Sequence, residues 1–378
     1  MADLGKIRDE IDLLDKDLVK LLYDRLELAK EVANSKIISK TAVLNAEREQ
    51  EVIHKVNQIA GVHSKEISTI MRAIMRISRE KQYQIVCDGD NEWQIKKLIL
   101  DSVDRKINIK KVAFCGTSGS YSKLAASLMY PNAEYIGVKT FEEACILAAN
   151  NEVDIAVLPL ENTTAGTVNE VYDHLPKYGL YIIKSFSNEI EHNLLAVEGT
   201  AIKNIKKVIS HPQALAQCDK LIKKMGWEIE SCDNTAFAAE FVANKKDKSI
   251  AAIASRETAD AFQLKILQKS INDQKCNQTR FVALSKKLSV SNKADRISIA
   301  FTLAHKSGAL ADVLSIFADL ELNLVKIQSR PIPEKPWEYM FYLDFFSELS
   351  NKDALRALYH LEKELPFLSF LGWYKEER

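Results

Sequence analysis

The sequence predicts three domains in order: an all-α domain, a two-lobed α/β domain and a C-terminal α+β domain. Apolar residues recur in alternating steps of three and four over the first thirty-odd residues. Short strands alternate with helices from residue 111, and the elements follow a βαββαβ order from residue 296. At 378 residues the chain is long enough for separate hydrophobic cores. The predicted segments are a helical domain over 1–90, a connector with some helix over 91–110, an α/β domain over 111–286 and an α+β domain over 296–378.

The composition argues against several classes of protein. The chain has 52 basic and 52 acidic residues and no basic block, which disfavours a nucleic acid or an anionic membrane as partner. No apolar run approaches a membrane span, and the first ten residues lack the apolar core of a signal peptide. The six cysteines show no metal-binding spacing. We therefore expect a cytoplasmic protein with reduced thiols and no metal.

The first predicted helix, from Asp3 to about Lys36, carries a cation on its apolar face. Arg25 falls on a position of the heptad stripe. A buried guanidinium is unfavourable without an anion, and no acidic residue shares that stripe nearby. Lys36 returns to roughly the same face about three turns later, whereas Arg8 points about 100° away. The pattern predicts an anion from outside the chain. Because the helix would span roughly 50 Å, we also expect a partner helix from a second copy.

Two further helices extend this domain. One begins near Asn45, a plausible N-cap, and the other follows Gly61, with Ser64 as a possible cap. Polar residues stand where their apolar faces should continue: Arg48, Glu49, Ser78 and Gln82. Each residue alone is compatible with a helical dimer held by salt bridges. Together with Arg25 and Lys36, they predict a cationic, hydrogen-bonding pocket that suits a small dianion.

The spacing of these residues resembles that of the all-helical chorismate mutases. The resemblance implies rearrangement of chorismate to prephenate, which needs a compact conformer and stabilisation of charge on the ether oxygen, but no covalent catalysis. It implies that Arg25 and Arg8 of the partner subunit hold the two carboxylates. It also implies that Lys36 and Gln82 face the ether oxygen, while Glu49 and Ser78 fix the ring hydroxyl and a carboxylate.

Asn45 departs from the family, which usually has Asp at this position. An amide can still form a hydrogen bond with a hydroxyl, so we expect altered affinity rather than lost activity. Asn45 can equally be an N-cap and nothing more.

In the middle of the chain, hydroxyl- and amide-rich segments lie at strand or helix ends. They are GTSGSYS (116–122), PLENTTAG (159–166), SHPQ (210–213) and NQTRF (277–281). Each alone is compatible with ordinary capping and turn chemistry. The glycine pattern Gly116-x-x-Gly119 does not fit the dinucleotide-binding fingerprint. Backbone N–H groups at helix N-termini suit carboxylates instead.

In this order, the four segments resemble the motifs of prephenate dehydratase. That enzyme has a two-lobed fold similar to periplasmic-binding domains of type II. The resemblance implies conversion of prephenate to phenylpyruvate with loss of carbon dioxide and the ring hydroxyl. Aromatisation drives that reaction, so no cofactor is expected. The resemblance implies that Thr279 assists departure of the hydroxyl, through a hydrogen bond or relay because threonine is a poor acid. The residues implied to line the cleft are Asn162, Thr163, Ser210, Gln217, Arg280 and Phe281. For Arg280 a structural role is the alternative.

The C-terminal βαββαβ order is that of a ferredoxin-like unit. On pattern alone it could be a plain dimerisation domain. Two segments, however, resemble the ligand-binding signatures of the ACT regulatory domain: Gly308-Ala309-Leu310 and Gln328-Ser329-Arg330-Pro331. The resemblance implies feedback inhibition by L-phenylalanine bound between paired domains, and Gly308 would allow close backbone approach. Gln328 stands where the family usually has Glu, which affects the expected affinity for the inhibitor.

Taken together, the resemblances imply an enzyme of L-phenylalanine biosynthesis that catalyses both reactions as a homodimer or higher homo-oligomer. Two alternatives stay open. One is a single-activity dehydratase acting on prephenate or arogenate, with the helices as a dimerisation scaffold. The other is a ligand-sensing protein without enzymatic activity.

Overall fold

A computed structural model describes residues 3–332 and 335–377, which form two compact units. The first unit joins the helices up to Lys97 with Phe301–Leu324 and Ser350–Leu368. The second unit contains the other described residues. The predicted C-terminal domain thus contributes to both units, its helices to the first and most of its strand residues to the second.

The first unit is helical. Its helices are α1 (Leu4–Ser39), α2 (Ala46–Ala60), α3 (Ser64–Gly89), the first half of α4 (Gln94–Leu100), α12 (Ala309–Asp319) and α13 (Lys352–Glu364). Asp3 caps α1 through Gly5 N, and Asn45 caps α2 through Arg48 N at 2.9 Å, so the predicted N-cap role of Asn45 is confirmed. The prediction of Ser64 as a cap is wrong, because Ser64 is the first residue of α3, and His63 before it makes no side-chain cap bond.

The apolar stripe of α1 is largely exposed in the single chain. The buried residues of α1 are Ala29 and Ala33, and neither belongs to the stripe. Leu14 and Leu21 are 69% and 66% exposed. A stripe with heptad spacing that remains in solvent lacks the burial that normally stabilises such a helix. Among the described residues, no helix is long and apolar enough to cross a membrane.

The second unit has an α/β architecture with two sheets. Its strands are β1 (Lys111–Cys115), β2 (Glu134–Val138), β3 (Ile155–Asn162), β4 (Gly166–Thr167), β5 (Tyr181–Glu189), β6 (Asn193–Ala196), β7 (Lys207–Ser210), β8 (Glu228–Ser231), β9 (Ile250–Ala254), β10 (Lys265–Gln268), β11 (Gln278–Ser285), β12 (Arg296–Thr302), β13 (Asn323–Ile332), β14 (Lys335–Phe346) and β15 (Phe367–Glu377). Its helices are α5 (Tyr121–Met129), α6 (Phe141–Ala149), α7 (Asn169–Tyr178), α8 (Pro212–Ala216), α9 (Asp219–Met225), α10 (Thr235–Lys245) and α11 (Arg256–Ala261).

The two sheets form two lobes. The larger sheet has the order β13-β14-β12-β15-β5-β11-β3-β1-β2, with β4 beside β3, and the smaller has the order β10-β6-β9-β7-β8. The chain leaves the larger sheet after β5 and returns in β11, and these two strands pair antiparallel from Gln278↔Glu189 to Ser285↔Tyr181. The predicted two-lobed α/β fold is confirmed. The two strands at which the chain passes between the lobes, β5 and β11, are neighbours in the larger sheet.

One hydrophobic core of this unit lies between the larger sheet and helices α6 and α7. Val171, Tyr172 and Leu175 of α7 are buried there. The same cluster includes Tyr342 of β14 and Tyr374 of β15. The C-terminal strands therefore share a hydrophobic core with the α/β lobe, in addition to the pairing of β15 with β5.

Candidate active sites

Helices α1 and α3 bring four of the predicted pocket residues together. Arg25 donates to the hydroxyl of Ser78 and, at 3.4 Å, to the carbonyl of Ile74. Lys36 Nζ lies 3.2 Å from Gln82 Oε1. Two pairs, Arg25 with Ser78 and Lys36 with Gln82, thus lie along the contact between α1 and α3. This arrangement is the one that the interrupted apolar stripes predicted.

Charge in this pocket is only partly compensated by the protein. Burial lowers the pKa of both Arg25 and Lys36, and the carboxylate of Glu49 on α2 opposes that shift at each of them. Two cations that lose hydration attract an anionic ligand more strongly than exposed cations would. The pocket therefore suits a small molecule with negative charge.

Three predicted residues have other surroundings within the single chain. Arg48 is 59% exposed and pairs with Glu51 at 2.8 Å. Asn45 uses its side-chain oxygen to cap α2. Arg8 is exposed on α1.

Arg79 on α3 was not predicted from the sequence. Its side chain is 14% exposed and pairs with two carboxylates, Glu49 and, at 2.9 Å, Glu364 of α13. Burial alone would lower the pKa of Arg79, but the two carboxylates together raise it above the usual value. The spacing of Arg76, Arg79 and Tyr83 along one face of α3 is the sequence signal that could have indicated a second polar stripe.

In the α/β unit, Asn162 at the end of β3 is the centre of a hydrogen-bond network. Its Nδ2 donates to Thr279 Oγ1 and to Asn277 Oδ1, both at 2.8 Å. Its Oδ1 accepts from the backbone of Thr164 at 3.0 Å and of Ala165 at 2.9 Å. Because Thr279 accepts the bond from Asn162, its own O–H proton remains able to donate to a ligand.

The network continues into the smaller lobe through Gln217. Gln217 Oε1 accepts from Asn277 Nδ2 at 3.0 Å and lies 2.9 Å from His192 Nε2, while its amide nitrogen donates to Thr164 Oγ1. Burial lowers the pKa of His192, with the bond to Gln217 acting in the opposite direction. A neutral imidazole that donates from Nε2 fits these partners. His192 was not predicted from the sequence.

A cavity of about 390 Å³ lies beside this network. Its size is within the range of small-molecule sites. Lys220 contributes a cation and Asp273 an anion. The lining residues are Thr164, Ala165, Gln213, Ala216, Gln217, Lys220, Asn272, Asp273, Gln274 and Asn277.

Other residues predicted to line the dehydratase cleft have different partners. Ser210 is buried and donates to the carbonyl of Ile253 at 2.6 Å. Phe281 is buried in the core beside β1 and α5. Arg280 lies 2.8 Å from Asp344 of β14 and 3.2 Å from the hydroxyl of Tyr172. Successive side chains of a strand point to opposite faces, so Thr279 and Arg280 serve different surroundings. These contacts favour the structural alternative for Arg280.

Thr163 lies at the edge of the same region. Its hydroxyl accepts from the backbone N–H of Gln278 at 2.9 Å and lies 3.4 Å from the carbonyl of Cys276. Thr163 therefore ties the turn after β3 to the start of β11, next to Thr279.

The two predicted regulatory segments belong to different units. Gly308 precedes α12 with φ of 83°, a left-handed conformation that favours glycine, and Ala309 and Leu310 begin the helix. Gln328, Ser329, Arg330 and Pro331 lie on β13, and Arg330 pairs with Asp173 of α7 at 2.9 Å.

Three family models match the chain in the predicted order. They are Chorismate mutase type II over residues 7–83, Prephenate dehydratase over 112–289 and ACT domain over 297–361. A bifunctional chorismate mutase/prephenate dehydratase from Buchnera aphidicola subsp. Acyrthosiphon pisum is 34% identical, and the match covers 98% of this chain and 96% of that protein. The chain belongs to the bifunctional chorismate mutase/prephenate dehydratase family. This confirms the predicted family, enzyme class and domain types.

Two relatives that are named as dehydratases match a smaller part of the chain. Arogenate dehydratase/prephenate dehydratase 2 from Arabidopsis thaliana is 37% identical over 70% of this chain and 72% of its own length. The structure of prephenate dehydratase in complex with L-Phe from Arthrobacter aurescens is 27% identical, with a TM-score of 0.65, and covers 71% of this chain and 90% of that chain.

Proposed function

We propose that this bifunctional enzyme converts chorismate to prephenate in the helical pocket and prephenate to phenylpyruvate, carbon dioxide and water at the junction of the two lobes. Both reactions belong to L-phenylalanine biosynthesis. The observation that carries the proposal is similarity to a bifunctional relative over almost the whole chain, with polar sites in the matching domains.

For the mutase reaction, we assign the substrate dianion to the pocket between α1, α2 and α3. Arg25 and Ser78 would hold one carboxylate, with Arg8 of the partner subunit at the other. Lys36 and Gln82 already lie 3.2 Å apart and would face the ether oxygen as negative charge develops on it. The ring hydroxyl would contact Glu49, with Arg48 and Asn45 at the rim of the pocket. Binding in a compact conformer supplies the rest of the rate enhancement.

A homodimer follows from the same helix. The exposed stripe of α1 needs a partner, and a second copy of α1 would cover it. Arg8 is exposed on α1 and is the residue that the mutase assignment takes from the partner subunit. Pairing of C-terminal domains could extend the dimer to a higher homo-oligomer.

For the dehydratase reaction, we assign prephenate to the cavity beside Asn162, Thr163 and Gln217. The bond between the ring and its carboxylate breaks, and its electron pair enters the ring as carbon dioxide leaves. The C–O bond to the ring hydroxyl also breaks, and the hydroxide that leaves takes a proton from solvent to become water. Thr279 would donate a hydrogen bond to the departing oxygen. Its hydroxyl oxygen accepts from Asn162 Nδ2, which leaves its O–H proton for this bond. Lys220 supplies positive charge for a carboxylate. Ser210, Arg280 and Phe281 would support the site rather than contact the substrate.

We further propose inhibition by L-phenylalanine at the segments Gly308–Leu310 and Gln328–Pro331 of the ACT domain. The relative from Arthrobacter aurescens was solved in complex with L-Phe. An effector changes activity only if it prefers one arrangement of the protein, so inhibition would report such a preference. We also propose a cytoplasmic location, which suits the six free cysteines.

The proposal is tested by measuring chorismate loss and prephenate loss, each with and without L-phenylalanine. Turnover of both substrates and inhibition by L-phenylalanine are expected. If chorismate stays unchanged while prephenate is consumed, the protein is a single-activity dehydratase. Arogenate should then be assayed beside prephenate as the substrate. No turnover of either substrate would favour the ligand-sensing alternative.

A further inference from the structure

Arg79 lies between a predicted catalytic carboxylate and the C-terminal region of the chain. One end of its guanidinium contacts Glu49 of α2, and Nε lies 2.9 Å from Glu364 Oε1 of α13. Glu364 also lies 3.1 Å from His360 Nε2, and the His360 ring stacks on Tyr83 with 4.4 Å between centroids. The bond partners of Arg79 are thus 30 residues before it and 285 residues after it in the chain.

The carboxylate of Glu49 is shared between two groups of cations. It contacts Arg79 through Oε1, and its charge acts on Arg25 and Lys36 in the mutase pocket. A carboxylate has two oxygens and can accept several hydrogen bonds. Holding Oε1 by a fixed guanidinium therefore sets the direction in which Oε2 can meet a ligand.

Arg79 is itself held in a buried setting. Burial alone would raise the pKa of Glu364, but His360 and Arg79 outweigh it and lower that pKa below the usual value. A small cavity of about 60 Å³ beside this ion pair is lined by Arg79, Glu364 and Ala309, among others. Ala309 belongs to the predicted regulatory segment. That segment therefore lines the same cavity as Arg79, the partner of Glu49.

We propose that Arg79 is a positioning residue of the mutase site, and that Glu364 of α13 is part of its support. The C-terminal region then sets the geometry of Glu49, and a shift of α13 changes mutase turnover without any contact with chorismate. This inference rests on the proposed mutase function of the α1–α3 pocket.

The test uses the full chain with chorismate loss as the main readout. Arg79→Ala is expected to lower mutase kcat/KM by about 10- to 100-fold, because small displacements of a catalytic group have effects of this size. Arg79→Lys is expected to recover part of the loss, since an ammonium can pair with one carboxylate but cannot form the same fork with two. Turnover of added prephenate should stay within about twofold, which shows that the α/β unit of each variant folds.

A double-mutant cycle separates positioning from general packing. If Arg79 acts through Glu49, the variant carrying both Arg79→Ala and Glu49→Gln should be no worse than the poorer single variant. Additive losses would overturn the proposal, as would an Arg79→Ala enzyme whose mutase kcat/KM stays within about twofold of the wild type.

Two matched controls come from the same helices. Arg76 of α3 pairs with Asp319 of α12 rather than with Glu49, so Arg76→Ala should leave mutase turnover within about twofold. Glu362 of α13 accepts from the Trp93 indole at 2.7 Å, and Glu362→Gln should likewise have little effect, whereas Glu364→Gln should lower turnover about three- to tenfold. Equal losses in Arg76→Ala and Arg79→Ala would mean that helix packing, not positioning, is responsible.

Failure of the inference is distinguishable from failure of the proposed function. If Glu49→Gln lowers mutase turnover and Arg79→Ala does not, only the role of Arg79 is refuted. If the wild type does not consume chorismate, or if Glu49→Gln is fully active, the assigned mutase site is wrong and the inference fails with it.

Discussion

Replacement of Asp344 by Asn should strongly destabilise the α/β unit. Asp344 is 1% exposed, accepts from Arg280 at 2.8 Å and from Ser298 at 2.6 Å, and joins β14 to β11 and β12. The amide is similar in size but carries no charge, so the Arg280 guanidinium stays buried without its buried carboxylate partner. The carboxylate of Glu161, 3.3 Å away, is more exposed than that of Asp344. Breaking a buried pair by removing one partner costs about 3–5 kcal/mol.

Asp173→Asn is the matched control. Asp173 pairs with Arg330 at the same kind of boundary, between α7 and β13, at 2.9 Å. Its side chain is 42% exposed, and exposed ion pairs contribute about 0–1 kcal/mol. The two substitutions therefore differ in burial while making the same chemical change.

The measurement is urea unfolding of both variants and the wild type, followed by tryptophan fluorescence and by loss of prephenate turnover. For a chain of several domains, the transition that abolishes dehydratase activity is the one to compare. The assignment of Arg280 and Asp344 as a buried structural link would be refuted in either of two cases. Asp344→Asn would lower the unfolding free energy of this transition by less than about 1 kcal/mol, or Asp173→Asn would lower it by a similar amount.

Other predictions concern the two sites and the dimer. Arg25→Ala should lower mutase kcat/KM by at least about 100-fold, equivalent to about 3 kcal/mol of transition-state stabilisation, with prephenate turnover retained. Arg72→Ala, an exposed cation on the same helix as Ser78, is its control in the chorismate assay. Thr279→Ala should accumulate prephenate when supplied with chorismate, measured by chromatography, and full phenylpyruvate formation would exclude Thr279 as the assisting group. Leu21→Lys should convert a dimer to monomers in light scattering and lower mutase turnover, and an unchanged mass would contradict dimerisation through α1.

Strands with continuous apolar sequences were predicted well. The sequence predicts strands at 111–115, 207–210 and 250–254, and β1, β7 and β9 have these bounds. Each lies in the interior of its sheet and pairs in parallel with at least one neighbour. Buried parallel strands produce apolar runs that are legible without tertiary information. β5 was not predicted, because Lys184, Ser185 and Ser187 interrupt its apolar residues, although it lies between β11 and β15.

The helical pocket was legible for a different reason. Arg25, Lys36, Ser78 and Gln82 occupy positions where an apolar residue was expected, so each is an exception to a periodic pattern. Arg79 lies beside the apolar face rather than on it, and an arginine there is unremarkable. Its role depends on Glu364, a contact too distant in the chain to be inferred from local spacing.

The dehydratase segment shows the limit of reading a motif as a unit. Thr279, Arg280 and Phe281 are contiguous in sequence, yet their side chains reach a hydrogen-bond network, an ion pair and a hydrophobic core. Strand alternation explains why Arg280 points away from Thr279, but the identity of its partner on β14 depends on how distant strands assemble.

The pairing of β15 with β5 has a consequence for biosynthesis of the chain. The paired residues, Lys375–Glu377 with Lys184–Phe186, lie far apart in the chain, so the β15 residues are synthesised long after β5. Until they arrive, one edge of β5 has no strand beside it, even though the rest of its lobe has been synthesised. An unpaired edge can associate with other chains, and domains generally fold in the order of synthesis. Completion of this sheet therefore waits for β15, and the nascent enzyme has an exposed strand edge until β15 has been synthesised.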